Sequence, residues 1–363
     1  GREKRNKAVL ILCIVILLSS LFLIWHVLSS SNTDRSALDG TDTPTPAATP
    51  AASPTLSAEP TDTPEPTPTP DPWDVYFRSD SDPEEVVVND QDNEHWEYRS
   101  DDLSVIIDRV HITRADGKPI CYCVAQIRMR NEDAFRAGLD TEYDNAPNRP
   151  ELPCLLARRY RAVLAITGDN LTHAETETKG ILIRNGKVYS ANQAQDTLAF
   201  YSDDLSVKVF KAKTVTAQEL LDQGVLNTFS FGPTLLVDGV RDLESKRSQL
   251  GRANPRCGIG MVEPGYFIAI TVDGRQSDHS VGMSLDEFAQ LFYFYGCELA
   301  YNLDGGSSTA MVFMGECLSQ HSGVGSDLQR PWVDALLWGN SELVPTTDDP
   351  VYNDGGEPWV PIP

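Results

Sequence analysis

The sequence predicts an α+β domain with a mostly antiparallel sheet and a few helices, preceded by a transmembrane helix and a disordered linker. Three observations support this prediction. Residues 8–28 are almost wholly apolar, residues 29–72 are rich in threonine and proline, and short alternating segments joined by Asn-Gly or Asp-Gly turns dominate the remainder. Because these strand-like segments do not alternate regularly with helices, a parallel sheet of βαβ units is not expected.

The apolar segment at residues 8–28 has the length of a membrane anchor. About 20 apolar residues in a helix cross a bilayer core of about 30 Å. Basic residues precede the segment and are expected to stay in the cytoplasm: Arg2, Lys4, Arg5 and Lys7. The sequence therefore predicts a cytoplasmic tail at 1–7, a signal-anchor helix at 8–28 and an extracellular C-terminal domain. A cleaved signal peptide is the alternative, but its apolar core would span only about 7–15 residues.

The segment at residues 29–72 is predicted to be a Thr/Pro-rich linker. Proline removes a backbone donor and fixes φ, so neither a helix nor a sheet continues through such a segment. Aromatic and β-branched residues return at Trp73. We therefore expect a folded domain at 73–343 and a flexible C-terminal tail at 344–363.

The acidic composition limits the partners. The formal net charge is −23, and no cluster of lysine and arginine follows the anchor. Nucleic-acid binding needs a basic surface, so a nucleic-acid partner is not expected. The predicted membrane contact is confined to the N-terminal helix, and the sequence identifies no protein partner.

Cysteines are present outside the anchor in an even number, which permits disulfides in an extracytoplasmic domain. They are Cys121, Cys123, Cys154, Cys257, Cys297 and Cys317. Buried free thiols are an equally good interpretation. Cys121 and Cys123 are expected on one face of a strand, so a bond between these two is not expected. No Cys-x-x-Cys pair occurs, so the sequence does not predict a zinc site.

Strands and helices are indicated by alternation, turns and caps. Predicted strands, several of them joined as hairpins, are 103–113, 119–130, 181–184, 187–190, 234–237, 240–242, 266–272, 298–303 and 309–314. Capping boxes at 216–219 and 284–287 predict two helices, and a third is expected at 152–161.

Acidic and basic residues recur together near the ends of apolar strands in the last third of the chain. The stretch 254–260 is interpreted as a turn that carries Arg256. Asp273 and Arg275 follow the apolar strand at 266–272, and Asp304 ends the strand before a small-residue loop. Glycines in such a loop allow backbone N–H groups to approach an anion closely. Each stretch alone is a common turn, but their recurrence favours a binding or catalytic site.

From about Asp102 to Gly339 the chain resembles bacterial members of the phosphodiester glycosidase family. The resemblance depends on ordered motifs, of which Asn302-Leu-Asp-Gly-Gly-Ser-Ser308 is the most specific. The others are Pro119-Ile-Cys-Tyr-Cys-Val-Ala-Gln-Ile, Ala165-Ile-Thr-Gly-Asp, Phe229-Ser-Phe-Gly-Pro-Thr-Leu, Asn254-Pro-Arg-Cys-Gly-Ile-Gly, Val272-Asp-Gly-Arg, Gly282-Met-Ser-Leu, and Arg330 with Asp334.

Three positions depart from the family pattern. Thr167 stands where the family usually has asparagine, Cys257 where threonine usually follows the arginine, and Ser307 where a third glycine is usual. The change at Thr167 matters most, because a hydroxyl cannot offer both the donor and the acceptor of an amide.

The resemblance implies hydrolysis of a sugar-1-phosphodiester between the anomeric carbon and the phosphate oxygen. This reaction needs an anion clamp and a carboxylate beside an oxocarbenium-like centre. Asp304 is the first candidate for nucleophile or base, and Asp273 is its partner or orients Arg275. Arg256 and Arg275 are expected to bind the phosphate through bidentate guanidinium groups. Further predicted substrate-binding residues are Asn302, Gly305, Gly306, Ser307, Asp169 and Thr167.

Two function classes remain open from the sequence. One is a membrane-anchored hydrolase that removes phosphodiester-linked sugars from surface or exopolysaccharide glycans. The other is a non-catalytic glycan-binding or assembly module on the same fold. His279 is a loop histidine for which the sequence shows no further metal ligands, so neither a metal nor a cofactor is predicted.

Overall fold

The computed structural model of the chain describes residues 71–139, 151–171, 180–241, 252–320 and 330–348. The predicted tail at 1–7, the anchor at 8–28 and nearly all of the linker lie outside these ranges, as does most of the predicted C-terminal tail. None of the helices within the described ranges has the length and apolar character needed to cross a bilayer. The domain limits 73–343 stay a prediction.

The described part of the chain consists mainly of strands. In chain order they are β1 (Val86–Asp90), β2 (His95–Arg99), β3 (Leu103–Thr113), β4 (Pro119–Met129), β5 (Phe135–Leu139), β6 (Leu164–Thr167), β7 (Ile181–Arg184), β8 (Lys187–Ala191), β9 (Thr197–Tyr201), β10 (Val207–Phe210), β11 (Val225–Phe229), β12 (Thr234–Val237), β13 (Val240–Arg241), β14 (Arg256–Glu263), β15 (Tyr266–Val272), β16 (Leu299–Leu303), β17 (Met311–Phe313), β18 (Glu316–Cys317) and β19 (Asp334–Trp338). The helices are α1 (Pro153–Arg159), α2 (Ala217–Asp222) and α3 (Leu285–Phe294), with 3₁₀ turns at Asp74–Tyr76, Glu132–Ala134 and Gly306–Ser308.

The largest sheet has nine strands in the order β1-β2-β3-β4-β15-β14-β16-β12-β13, and a five-stranded sheet has the order β18-β17-β6-β19-β5. The strands β10-β9-β11 and β7-β8 form two smaller sheets. The strand pairs in the described residues are antiparallel. The predicted α+β class with a mostly antiparallel sheet is therefore confirmed.

Both faces of the nine-stranded sheet are buried at its centre. One face packs against the five-stranded sheet, where Ile127 and Ile259 share a core with Ile166 and Trp338. The opposite face is covered by α3, whose Phe288 packs among residues of β15 and β16. Side chains alternate between the two faces along a strand. The strand at 266–272 is therefore apolar almost throughout, as the sequence predicted.

Most of the predicted local structure is confirmed. Strands β3 and β4 pair as one hairpin, and Asn185-Gly186 joins β7 to β8. Both predicted capping boxes are present, at Thr216 and at Ser284. The prediction of a turn at 254–260 is wrong, because β14 begins at Arg256 and pairs with β15 and β16. The glycines of this segment fit a crowded strand, since a Cβ at Gly258 would lie 2.9 Å from Phe288 and from the Tyr301 carbonyl.

Candidate active site

The candidate acids lie at one edge of the nine-stranded sheet. Cys257 of β14 pairs with Thr271 of β15 on one side and with Leu303 of β16 on the other. Asp273 follows β15 and Asp304 follows β16, so both leave the sheet at the same edge. Strands are spaced by about 4.8 Å, which places the two backbones about 10 Å apart, with β14 between them.

Asp304 lines a cleft between this edge and the five-stranded sheet. The cleft has a volume of about 130 Å³, and we call it the Asp304 cleft. Its principal polar residues besides Asp304 are Thr167, Asp169, Ser308, Arg330 and Asp334. The structure therefore brings together three residues predicted from the sequence, Thr167, Asp169 and Asp304. Trp332 forms part of the apolar wall.

The environment of Asp304 alters its protonation. The residue is only 8% exposed, and burial raises the pKa of its carboxyl from 3.8 to about 6. The Ser308 hydroxyl, the positive charge of Arg330 and the Gly305 N–H act in the opposite direction. A buried carboxyl in a cleft with a raised pKa is typical of catalytic acids and bases.

The Thr167 hydroxyl holds the loop that follows Asp304. It donates a hydrogen bond of 2.6 Å to the Ser308 carbonyl. The same carbonyl accepts a hydrogen bond of 2.7 Å from the Trp332 indole. The Cys257 thiol donates to the Thr167 carbonyl at 3.7 Å. Two of the three residues that depart from the family pattern are therefore in direct contact.

The glycine loop does not present the amides that the sequence predicted for anion binding. The Gly306 N–H donates to the Pro255 carbonyl at 3.1 Å, and the Gly305 N–H interacts with the Asp304 carboxylate. Gly306 instead packs closely against the Arg275 side chain. Its φ is +61°, and a Cβ at this position would lie 3.1 Å from Arg275 Nη2. Arg275 Nη1 also donates to the Ser307 hydroxyl at 3.3 Å. The loop therefore supports an exposed guanidinium rather than a nest of free amides.

Asp169 belongs to a buried ion-pair network. Arg184 is completely buried, and its Nε and Nη2 donate to the two carboxylate oxygens of Asp334 at 2.8 and 2.7 Å. Its Nη2 also donates to Asp169 at 3.1 Å. A Cβ at Gly168 would lie 2.2 Å from Asp334 Oδ2, so only glycine fits between them.

The Asp169 carboxylate is already well supplied with donors. The N–H groups of Ser230 and Phe231 donate to it at 3.0 and 2.8 Å. Burial raises the pKa of Asp169, and the positive charge of Arg184 acts in the opposite direction. Asp169 therefore positions the wall of the cleft, a role that differs from the direct substrate contact predicted from the sequence.

Arg256 and Asn302 point away from the Asp304 cleft. Their strand neighbours Cys257 and Leu303 face the core between the two large sheets, so alternation directs Arg256 and Asn302 to the opposite face. Arg256 Nε donates to the Met283 carbonyl at 2.9 Å, and Asn302 Nδ2 donates to the Gly232 carbonyl at 2.7 Å. Burial also lowers the pKa of Arg256, to about 10. These contacts give both residues a role in positioning backbone, and their predicted contact with substrate has no support here.

Asp273 faces a second group of residues. Its Oδ2 lies 2.8 Å from His279 Nε2, and its Oδ1 accepts the Gln320 N–H at 3.2 Å. Arg275 contacts Ser307 and Asn254 instead. Of the two roles predicted for Asp273, that of orienting Arg275 is therefore wrong, and that of partner to Asp304 stays a prediction.

His279 lines a larger polar cleft of about 600 Å³, which we call the His279 cleft. Glu94, Arg109, His111 and Gln320 also line it. Asp273 and Cys121 place one potential ligand atom each within 4.8 Å of the other and of the histidine nitrogen. The prediction that His279 has no further ligands is therefore wrong. Asp273 lies six residues before it, and Cys121 comes from a distant part of the sequence.

Sequence reasoning missed Arg184, Ser308 and the site role of Arg330. In the sequence, Arg330 stands out only as part of a family motif. Arg184 ends an apolar strand just before Asn185-Gly186, and a fully buried arginine requires anionic partners. The charge of Arg184 at the end of an apolar strand is therefore the sequence feature that indicates a buried ion pair.

Comparison with known proteins identifies relatives of this domain. The phosphodiester glycosidase family model matches residues 160–338. The SPbeta prophage-derived uncharacterized protein YomE of Bacillus subtilis (strain 168) is 30% identical over 214 residues, which cover 56% of this chain and 32% of that protein. The chain thus spans about a third of the length of this curated relative.

Two solved structures share the fold. The catalytic domain of zebrafish N-acetylglucosamine-1-phosphodiester alpha-N-acetylglucosaminidase, auto-inhibited by its pro-peptide, is 20% identical, with a TM-score of 0.55 over 66% of this chain and 84% of that chain. A hypothetical protein from Synechocystis is 13% identical, with a TM-score of 0.50 over 71% of this chain and 64% of that chain. At these identities the likeness concerns the fold.

Proposed function

Residues 160–338 belong to the phosphodiester glycosidase family, and from this premise we propose that the chain hydrolyses sugar-1-phosphodiesters in the Asp304 cleft. The observation that carries the proposal is Asp304 itself. Its carboxyl is buried at a strand end, has a pKa of about 6, and lies beside the positive charge of Arg330. This combination supplies a mostly ionised carboxylate and a phosphate-binding cation in one cleft.

The reaction uses Asp304 as nucleophile or as base. In either case the bond between the anomeric carbon and the phosphate oxygen breaks, and its electron pair leaves with the phosphate. Water supplies the new hydroxyl at the anomeric carbon, directly or after a glycosyl-enzyme intermediate. The products are a free sugar and a phosphate monoester. Because the phosphate leaves readily as an anion, a strong general acid is not required.

Phosphate recognition is assigned to Arg330 and Arg275. Arg330 lines the Asp304 cleft. Arg275 follows β15, and its exposed side chain donates to Ser307 of the loop that follows Asp304. Guanidinium groups bind phosphate oxygens in bidentate fashion. Arg256 is not included, because its side chain donates to main-chain carbonyls on the other face of the sheet.

The natural substrate is proposed to be a surface glycan or exopolysaccharide with phosphodiester-linked sugars. The N-terminal sequence supports this proposal through its apolar segment and its proline-rich linker, which would hold the domain outside the cytoplasmic membrane. Protease added to intact cells should then release a soluble fragment that begins within residues 40–72. Release only after permeabilisation would contradict this orientation.

A non-catalytic glycan-binding module is the second candidate function. Thr167 favours it, because the hydroxyl is already used by the Ser308 carbonyl and offers no amide to a substrate. In that case sugar phosphodiesters bind without turnover. Calorimetric titration of the same compounds distinguishes binding from hydrolysis.

The decisive experiment incubates the purified protein with a panel of sugar-1-phosphodiesters and measures free sugar and phosphate monoester. Reaction in heavy-oxygen water should place the label in the sugar, because the proposed reaction breaks the carbon–oxygen bond. Asp304→Asn should reduce kcat by at least about 100-fold. The matched control is Asp238→Asn, which makes the same change in another Asp-Gly turn. This turn lies near the opposite end of β16, because the Gly239 N–H donates a hydrogen bond to the Glu298 carbonyl. Label in the phosphate, or equal rates for Asp304→Asn and wild type, would overturn the proposal.

A further inference from the structure

We propose that Cys121, Asp273 and His279 form a binding site for a zinc-type divalent cation, with an exchangeable fourth ligand facing the His279 cleft. One sulfur, one nitrogen and one carboxylate oxygen of these residues lie within 4.8 Å of one another. Three protein ligands of these types with one open position are typical of zinc sites that bind water or substrate.

The backbone holds two of the three ligands rigidly. Cys121 lies in β4 and Asp273 directly follows β15, the neighbouring strand, and the Asp273 N–H donates to the Cys121 carbonyl at 3.0 Å. The completely buried Ser280 hydroxyl bridges them: it accepts the Cys121 N–H at 3.1 Å and donates to the Asp273 carbonyl at 2.6 Å. The two side chains therefore start from fixed neighbouring positions.

The third ligand comes from a closed turn. Gln276 and Ser280 exchange two backbone hydrogen bonds of 2.9 Å, and His279 lies within this turn. Its side chain is 22% exposed, whereas that of Asp273 is 2% exposed. The buried acid and the partly exposed histidine place the proposed cation at the wall of the cleft, where a fourth ligand can reach it.

The spacing requires only small side-chain movements. Ligand lengths of about 2.0–2.3 Å around a tetrahedral zinc place the ligand atoms about 3.3–3.6 Å apart. His279 Nε2 and Asp273 Oδ2 are now 2.8 Å apart, as a hydrogen-bonded pair. A cation would replace this hydrogen bond. The Gln320 N–H, 3.2 Å from Asp273 Oδ1, would remain as the outer contact that orients the carboxylate.

The ligand types select the class of cation. A thiolate and an imidazole favour zinc and similar borderline-soft ions over magnesium and calcium, which prefer oxygen ligands. The surrounding cleft is also suited to an ordered fourth ligand. His111 packs edge-on against His279 with ring centroids 6.3 Å apart, and Glu94 bonds to His111 at 2.8 Å.

The test measures metal binding without substrate, so its outcome does not depend on the proposed hydrolase activity. Purified protein is stripped with a chelator and titrated with Zn²⁺ against a competing chromophoric chelator, and with Co²⁺ by absorption spectroscopy. Wild type should bind one equivalent, and its Co²⁺ form should show thiolate charge-transfer and tetrahedral bands. His279→Gln and Cys121→Ser should each weaken Zn²⁺ binding by at least about 10-fold.

The control is Cys297→Ser, which alters a buried cysteine on the opposite face of the same sheet and should leave Zn²⁺ affinity unchanged. His279→Gln should fold normally because its side chain is partly exposed, so it remains informative if Cys121→Ser does not fold. The proposal is overturned if wild type binds no Zn²⁺. It is equally overturned if His279→Gln binds Zn²⁺ as tightly as wild type, or if the Co²⁺ form lacks thiolate bands.

Discussion

The hydroxyl of Thr167 donates a 2.6 Å hydrogen bond to the main-chain carbonyl of Ser308. This contact ties the end of β6 to the 3₁₀ turn that follows Asp304. Because the Trp332 indole donates to the same carbonyl, the turn is fixed from two sides. The residue that departs most clearly from the family pattern is therefore part of the support for the candidate catalytic acid.

Replacing Thr167 with asparagine should raise kcat/KM for sugar-1-phosphodiesters. The amide nitrogen can still donate to the Ser308 carbonyl, and the amide oxygen adds an acceptor at the Asp304 cleft. Thr167→Val is the matched control, since it keeps the shape of threonine and removes the hydrogen bond. It should lower the free energy of unfolding by about 1 kcal/mol without raising activity. Steady-state kinetics would contradict the prediction if kcat/KM of Thr167→Asn were no higher than that of wild type.

The pH dependence of hydrolysis should report Asp304. Its pKa is raised to about 6, so a nucleophile or base at this position becomes active as pH rises through about 6 and reaches a plateau above it. A phosphodiester stays a monoanion over this range, so the substrate adds no step of its own. Measured kcat/KM against pH should show this rise in wild type. A profile that falls with increasing pH between about 5 and 7 would exclude an ionised Asp304 as the reacting group.

Stability should show the opposite trend with pH. The folded-state pKa of Asp304 lies above the ordinary 3.8, so the contribution of this residue is present below about pH 4 and is lost as pH rises through about 6. One pKa unit corresponds to about 1.4 kcal/mol. The stability of Asp304→Asn relative to wild type should therefore increase by about 3 kcal/mol from below about pH 4 to above about pH 7. Denaturant unfolding of both proteins measures this difference, and a pH-independent difference would show that burial does not perturb Asp304.

Local patterns were enough to predict much of the fold. The Asn185-Gly186 turn, the capping boxes at Thr216 and Ser284, and the apolar run at 266–272 each depend on neighbouring residues, and each is confirmed. Strand β14 was missed because its glycines resemble a turn. Only the contact of Gly258 with Phe288, thirty residues away in sequence, explains why a strand needs glycine there.

The site was harder to predict, because its contacts join distant segments. Asp304 was identified from its position after a strand, and its cleft contains Thr167 as expected. Arg256 has the same local signature, but side-chain alternation places it on the opposite face of the sheet. The association of Cys121 with His279 could not be read from spacing, since it depends on the pairing of β4 with β15.

Removing one carboxylate from the Arg184 network should destabilise the fold strongly. Asp334→Asn leaves the fully buried guanidinium with Asp169 and main-chain acceptors but without its bidentate partner. Breaking a buried pair in this way costs about 3–5 kcal/mol. Asp101→Asn is the control, because it breaks an exposed pair with Arg78 and should cost far less. Equal unfolding midpoints for the two variants would contradict a stabilising role for this network.

Oxidation should join Cys154 to Cys317 before any other pair of cysteines. Cys154 lies in α1 and Cys317 in β18, and both pack in one cluster under the five-stranded sheet. A hydrogen bond between their thiols lowers the pKa of Cys154, which favours the reactive thiolate. Burial raises the pKa of Cys257 and of Cys297, so these thiols should react slowly.

Mass spectrometry of non-reduced peptides after mild oxidation should show the Cys154–Cys317 bridge, and Cys317→Ser should abolish it. A bridge between Cys121 and Cys123, which point to the same side of β4, would contradict both this prediction and the strand geometry.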